Sequence, residues 1–215
     1  QPSILTPIYE DFFTEKGIQL WLKRDDLIHP VISGNKWRKL KYSLNHVLSL
    51  NKTVLISMGG AYSNHLHALA FVGKSLNLKT KAFIRGEKPV QLNPTLQDLI
   101  NWGMELNFVS RGDFRVLREL KSYDALPNLK PDEYWLPEGG YLPQALAGVA
   151  ELVQEITIPY DMICTACGTG TTLAGIINAV PKNTQVLGFA ALKKADFLNQ
   201  DVERILTTGS SQKNW

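Results

Sequence analysis

The chain has 215 residues, 44% of them hydrophobic and 20% charged, with a formal net charge of +3. That length buries one large core or two small ones, and the balance is ordinary for a globular enzyme or binding domain. A charge this small, with no basic stripe interleaved with aromatics, argues against a nucleic-acid partner, and the lack of any run of about 18 apolar residues argues against a transmembrane helix.

In chain order, short apolar runs predict strands near 19–23 (QLWLK), 53–58 (TVLISM), 79–84 (KTKAFI), 105–109 (ELNFV), 161–165 (DMICT) and 185–190 (QVLGFA). Helical patterns lie between them, near 35–50, 63–76, 94–102, 113–121, 142–156 and 171–179. This alternation predicts an α/β fold with parallel sheets and helices on both faces. Leu66, Leu69, Ala70 and Gly73 recur at helical spacing and read as core. The Pro- and Gly-rich stretch 122–140 reads as a crossing between two α/β units. The opening QPSILTPIYEDFF shows no signal-peptide pattern. The end, LTTGSSQKNW, stops in polar loop chemistry and reads as a truncated chain.

Three turns that open helices carry the chemistry. In open α/β sheets, ligands gather where strand ends meet helix N-termini, whose N–H groups point outward. The first turn is SGNKWRKLKYSL, residues 33–44, a helix that begins with Lys36, Arg38 and Lys39. Cations oppose the positive end of the helix dipole, so this start is either a solvated basic face or a working amine with charges offered to an anion. The second, SMGGAYSNHLHALA (57–70), places Ser63 as a helix cap beside Asn64, His65 and His67. The two histidines are two residues apart, point to different faces and make a poor metal pair; no metal site is expected. The third, CGTGTTLAGI (167–176), joins Gly168, Thr169, Gly170, Thr171 and Thr172 at a helix start, which suits a phosphate or is simply a turn. It is neither a P-loop nor a dinucleotide fingerprint.

Together these parts suit pyridoxal phosphate. Lysine condenses with an aldehyde only as the neutral amine, and a free lysine has a pKa of about 10.4. The dipole end, with Arg38 and Lys39 nearby, would push Lys36 toward neutrality. Lys39, one turn on, could reach the phosphate as a point charge.

Cys164 and Cys167 form CTAC, which could be half a zinc site or a redox pair; with the four histidines far off in sequence, structural cysteines are the better reading. No disulfide framework is visible, so a reducing cytoplasm is the expected compartment.

Four segments carry a resemblance: LKRDDL…SGNKWRKLKYSL (22–44), SMGGAYSNHLHALA (57–70), LPEGGYLPQALAGVAEL (136–152) and CTACGTGTTLAGI (164–176). The sequence resembles the pyridoxal-phosphate enzymes that include 1-aminocyclopropane-1-carboxylate deaminase and D-cysteine desulfhydrase, relatives of the tryptophan synthase β-chain. The resemblance implies that Lys36 joins covalently to the cofactor and that Asn64 bonds its phenolic oxygen. It implies that Ser63 and the N–H groups of Ser63, Asn64 and His65 hold the substrate carboxylate, and that Gly168–Thr172 with Lys39 hold the phosphate. It further implies two α/β domains, a small one over 38–141 and a large one combining 1–37 with 142–215, usually as a homodimer. About a hundred further residues are implied as well, carrying a tyrosine near the substrate and a partner for the pyridine nitrogen. Tyr141-Leu142-Pro143, after PEGG, departs from the family's small polar residues and is expected to alter pocket shape.

The function expected is a deaminase or lyase that converts a small amino acid to a 2-oxo acid and ammonia, with Lys36 as base and Ser63 as a second catalytic candidate. A different reading is a non-catalytic relative that binds the cofactor or a phosphate ligand without turnover. A third, a nucleotide-phosphate enzyme, needs an acidic metal ligand near 168–172, but Asp161 opens its strand instead.

Overall fold

The computed structural model describes residues 2–193, 195–206 and 214–215. The reading of the chain end as polar loop falls mostly on 207–213, outside the described residues.

Near the N-terminus β1 (Leu5–Ile8) pairs antiparallel with β2 (Leu20–Lys23), with the short helix α1 (Asp11–Glu15) between them. The strand expected at 19–23 is therefore half of a hairpin and not a member of a parallel sheet. Its partner and α1 are too short to show a period in the sequence.

Helix α2 (Asn35–Ser49) leads into β3 (Val54–Gly59), α3 (Asn64–Ser75), β4 (Lys79–Arg85), α4 (Pro94–Asn101), β5 (Met104–Val109) and α5 (Arg111–Arg118). The next strand, β6 (Glu133–Leu136), lies inside the stretch expected to be a crossing. It pairs parallel with β3, which gives a four-stranded sheet of order β5-β4-β3-β6. Its four residues, EYWL, are all buried and show no polar alternation, which hid the strand.

Both faces of this sheet are covered, as parallel strands require. Val54, Ile56 and Met58 pack with Phe114 and Trp135 on one face, and Leu55 packs with Leu40, Leu66 and Leu69 on the other. Side-chain caps set the helix starts. Ser63 accepts from the Leu66 N–H, Asn93 from Leu96 and Ser110 from Asp113. The Ser110 cap places the start of α5 two residues before the expected 113. The expected stripe on α3 is core, and Gly73 lets the helix sit against β4, where a Cβ would fall 2.3 Å from Thr80 Cγ2.

The second layer holds α6 (Pro143–Gln154), β7 (Met162–Cys167), α7 (Thr171–Ala179), β8 (Gln185–Ala190) and α8 (Phe197–Ile205). Strands β7 and β8 run parallel, and Val149, Leu173, Ile177, Val186 and Val202 form the core beneath them. Two glycines join the layers. A Cβ on Gly148 of α6 would lie 1.9 Å from the Arg38 carbonyl oxygen of α2, and one on Gly175 of α7 would lie 2.5 Å from Val149 Cβ of α6. Helix α6 thus sets the distance between the starts of α2 and α7. No described helix is long and apolar enough to cross a membrane.

Candidate active site

The first turn of α2 answers why three cations stand there. Gly34 takes φ +62° and its N–H donates to the Asp25 carbonyl at 3.0 Å, which turns the chain sharply into the helix. Arg38 is 1% exposed and faces two carboxylates. It donates to both oxygens of Asp25, at 3.0 and 3.2 Å, and to both oxygens of Glu155, at 2.5 and 2.7 Å. Its charge is thereby balanced, so it does not drive Lys36 toward the neutral form as expected. Burial does that, and it is the cause of the lowered Lys36 pKa. Lys39 is 3% exposed, and its pKa falls well below the ordinary value through burial first and the neighbouring Lys36 charge second.

Burial pushes the Glu155 carboxyl up, but bonds from Arg38, Lys23 and the Ser3 N–H outweigh it and hold the pKa at about 2. A carboxylate depressed in the folded state contributes stability that is complete above its unfolded pKa and is lost as pH falls toward the folded one. Stability from this group is therefore expected to drain between pH 4.5 and 2. Melting temperature against pH checks it, and Glu155→Gln should flatten the loss in that window.

Lys36, Lys39 and Asn35 line a cavity of about 80 Å³ together with Gly139, Cys167, Gly168, Thr169, Gly170 and Thr172. The anticipated lysine and the anticipated turn thus share one hollow. A larger hollow, about 420 Å³, lies at the N-terminal hairpin, lined mainly by apolar side chains such as Ile8, Phe13 and Trp21. It has no lysine, histidine or cysteine, so the chemistry points to the smaller one.

Gly170 caps α7 in the left-handed conformation, φ +74°, and leaves the first N–H groups of the helix free of a side-chain cap. Thr171 is fully buried, its hydroxyl 3.1 Å from that of Thr169. Asn35 Nδ2 donates to Thr172 Oγ1 at 2.8 Å, which ties the first residue of α2 to the second of α7. Because Thr172 accepts there, its own O–H remains a donor. The 138–140 turn closes the hollow. Gly139 has φ +66°, a Cβ there would lie 2.8 Å from Thr169 Cγ2, and its carbonyl accepts from Lys39 Nζ at 3.2 Å.

The start of α3 lies beside this hollow without lining it. Ser63 acts as the cap, and Asn64 is exposed. His65 is buried, and its tautomer follows from its neighbours. Ser57 donates its only proton to the Leu136 carbonyl at 2.6 Å, so at 2.9 Å from His65 Nε2 it must accept, and Nδ1 carries the lone pair. That Nδ1 is buried and has no partner among the described residues. Burial and then the charges of Lys36 and Lys39 hold the imidazole well below its usual pKa. His67 turns to another face and meets Asp98 at 3.1 Å.

Two expectations change here. Both cysteines lie within β7, Cys164 exposed and Cys167 buried, and Cys167 also lines the hollow, which its place in the sequence did not indicate. Tyr141 does not shape the pocket. It is buried in the second core, and its hydroxyl donates to the Asp201 carbonyl at 2.8 Å. Asn35 and Gly139 were not anticipated as site residues. Their only signals were the position before Lys36 and the doubled glycine after Glu138.

The donor set suits a phosphate: two helix N-termini, the Lys39 amine and a threonine O–H converge beside Lys36, which is half-buried. A side chain at Gly139 would fall against Thr169 at the hollow, whereas one at Gly170 would fall against Val202 of α8, so glycine is required at both turns. The residues present therefore fit pyridoxal phosphate.

The fold and this site define an α/β protein whose lysine-lined hollow suits a phosphate-bearing cofactor. Residues 4–210 match the family of pyridoxal-phosphate dependent enzymes, and the chain belongs to that family. It is 33% identical over 203 residues to a putative 1-aminocyclopropane-1-carboxylate deaminase of Thermotoga maritima, covering 89% of this chain and 64% of that one. It is 29% identical over 179 residues to a mitochondrial bifunctional D-cysteine desulfhydrase/1-aminocyclopropane-1-carboxylate deaminase of Arabidopsis thaliana, covering 74% and 44%. The crystal structure of an ACC deaminase homologue superposes with a TM-score of 0.78 at 24% identity, over 96% of this chain and 65% of that one. The chain thus spans a little under two thirds of the length of the Thermotoga relative.

Proposed function

We propose that the protein is a deaminase or lyase that converts a small amino acid, of the 1-aminocyclopropane-1-carboxylate or D-cysteine type, to a 2-oxo acid and ammonia. The observation that carries this reading is the single hollow shared by Lys36 and the 168–172 turn. The names of the Thermotoga and Arabidopsis relatives support it, and no observation favours the non-catalytic alternative.

Pyridoxal phosphate, when bound, supplies an electron sink for charge that develops on the substrate carbon. The residues of the chain do the rest. Gly168–Thr172 and Lys39 anchor the anionic tail, and the Thr172 O–H donates to it. Lys36, whose pKa burial lowers, would be the nucleophile toward the aldehyde, and its amine would be the base that moves a proton between carbon atoms. The N–H groups of Ser63, Asn64 and His65 at the start of α3 bind the substrate carboxylate, and the Asn64 amide orients the cofactor through its phenolic oxygen. Ser63 is a second catalytic candidate. Its side chain already accepts the Leu66 N–H, so its proton remains available.

The domain division belongs to the same proposal, with 38–141 as the small unit and 1–37 with 142–215 as the large one. The existence of two separate cores supports a division into two units, while at the 141/142 boundary itself the side chains cross over, Tyr141 packing in the second core and Leu142 in the first. The homodimer is carried by the family resemblance, and sedimentation over a range of concentrations tests it.

The test of function is a panel of aminocyclopropane carboxylate, D-cysteine, L-cysteine and D-serine, each given to the chain with pyridoxal phosphate and scored for ammonia, sulfide and keto acid. Release of keto acid and ammonia from at least one, lost in Lys36→Ala, is the expected result. Cofactor binding with no release from any member would favour the binder reading.

A further inference from the structure

Arg38 stands two residues past Lys36, inside the fold and outside the hollow. Its guanidinium forks onto two carboxylates at once: onto Asp25, in the turn before α2, and onto Glu155, just past the end of α6. Both acids are held in turn. Ser3 Oγ donates to Asp25 Oδ1 at 2.6 Å, and Lys23 Nζ donates to Glu155 Oε2 at 2.8 Å. Asp25 also grips the same turn through its backbone, since its carbonyl accepts the Gly34 N–H at 3.0 Å. Residue 36 therefore lies midway between two ties, at 34 and at 38, that end on a single aspartate. The third tie, Glu155, reaches α6, which sets the spacing from α2 to α7 through Gly148 and Gly175.

A buried ion cluster of this kind is seldom a net source of stability, because desolvation offsets most of the attraction, and in some proteins such groups serve to fix one geometry. A surface basic face would not be 1% exposed with two carboxylates forked onto it. We propose that Arg38 is a positioning residue: clamped by Asp25 and Glu155, it fixes the first turn of α2 so that the Lys36 amine faces the 168–172 turn.

This rests on the cofactor reading of Lys36, and the test separates the two. The titratable groups around Lys36 are Lys39 from its own helix, His65 from α3 and Cys167 from β7. Arg38→Leu leaves all three in place and loosens the turn, which readmits water to the Lys36 amine. Pyridoxal phosphate titrations of the full chain across pH, with melting of the unloaded protein alongside, give the readout. Arg38→Leu should weaken cofactor binding about tenfold or more. It should also move the pH of half-maximal lysine-dependent absorbance upward by about one unit. Arg38→Lys should not restore either, because one ammonium cannot fork onto two carboxylates. Val47→Ala, a core change farther along α2, should lower the melting point yet leave both readouts alone. If Arg38→Leu lowers the melting point while affinity stays within about twofold of the parent and the pH midpoint within about 0.3 unit, the clamp is merely structural and the proposal fails. Should that variant not fold, Asp25→Asn, which keeps the fork to Glu155, decides by the same rule. A parent band that survives Lys36→Ala sinks the cofactor reading, whereas one that needs Lys36 but survives Arg38→Leu sinks the clamp alone.

Discussion

Lys36→Ala is expected to lower turnover about a thousandfold or more while leaving the unloaded protein at least as stable as the parent. The two halves of this expectation have one cause. Burial lowers the Lys36 pKa, and no carboxylate contributes to that shift, so folding disfavours the charged amine. A base whose pKa is lower folded than unfolded weakens folding at any pH where the unfolded chain is protonated. Removing it relieves that cost and removes the amine assigned to join the aldehyde, leaving Lys39 as the other lysine of the hollow. Activity assays and melting curves of the same preparation check both. A large fall in melting temperature with turnover retained would show that Lys36 is a packing residue.

Gly148→Ala should destabilise the protein by about 3 kcal/mol, although alanine is the better helix former by about 1 kcal/mol. Space decides the sign. The new Cβ would sit 1.9 Å from the Arg38 carbonyl oxygen and 2.8 Å from its carbon. Both are backbone atoms of α2, so no side-chain rotation relieves the clash and the two helices must separate. That movement also shifts Lys36 against the 168–172 turn, so cofactor affinity falls along with stability. A loss of this size lowers the melting temperature by about 6–12 °C in a chain of this length. Gly112→Ala in α5 is the control. Its Cβ would meet nothing closer than Ser110 Oγ at 3.5 Å, and the change should be neutral or mildly stabilising. Equal behaviour of the two variants would rule out the close approach of α2 and α6.

Much of the site was legible because its signals are local. Gly34, Gly168 and Gly170 mark turns, Ser63 marks a cap, and the chain places Lys36 and Lys39 one helical turn apart. What escaped depends on contacts that sequence distance hides. Arg38 in a run of cations reads as a solvated face, yet its fork lands on Glu155, 117 residues away. Asn35 gains its place only through Thr172, 137 residues on. The cause of the Lys36 shift was misjudged for the same reason: neighbours in sequence stood in for neighbours in space, and burial has no local signature. Among the elements, β6 was lost because EYWL is buried on both faces and bounded by prolines. The strand at 19–23 was found, but its antiparallel partner Leu5–Ile8 was not, so its role in the fold was misread.

The most direct test of the account reduces the pyridoxal-phosphate-loaded protein with borohydride, digests it and locates the modified lysine by mass spectrometry. The pyridoxyl label should lie on Lys36, with Lys39 unmodified and the label abolished when Lys36 is alanine. A label on Lys39 or on a surface lysine, with Lys36 bare, would contradict the assignment on which the rest is built.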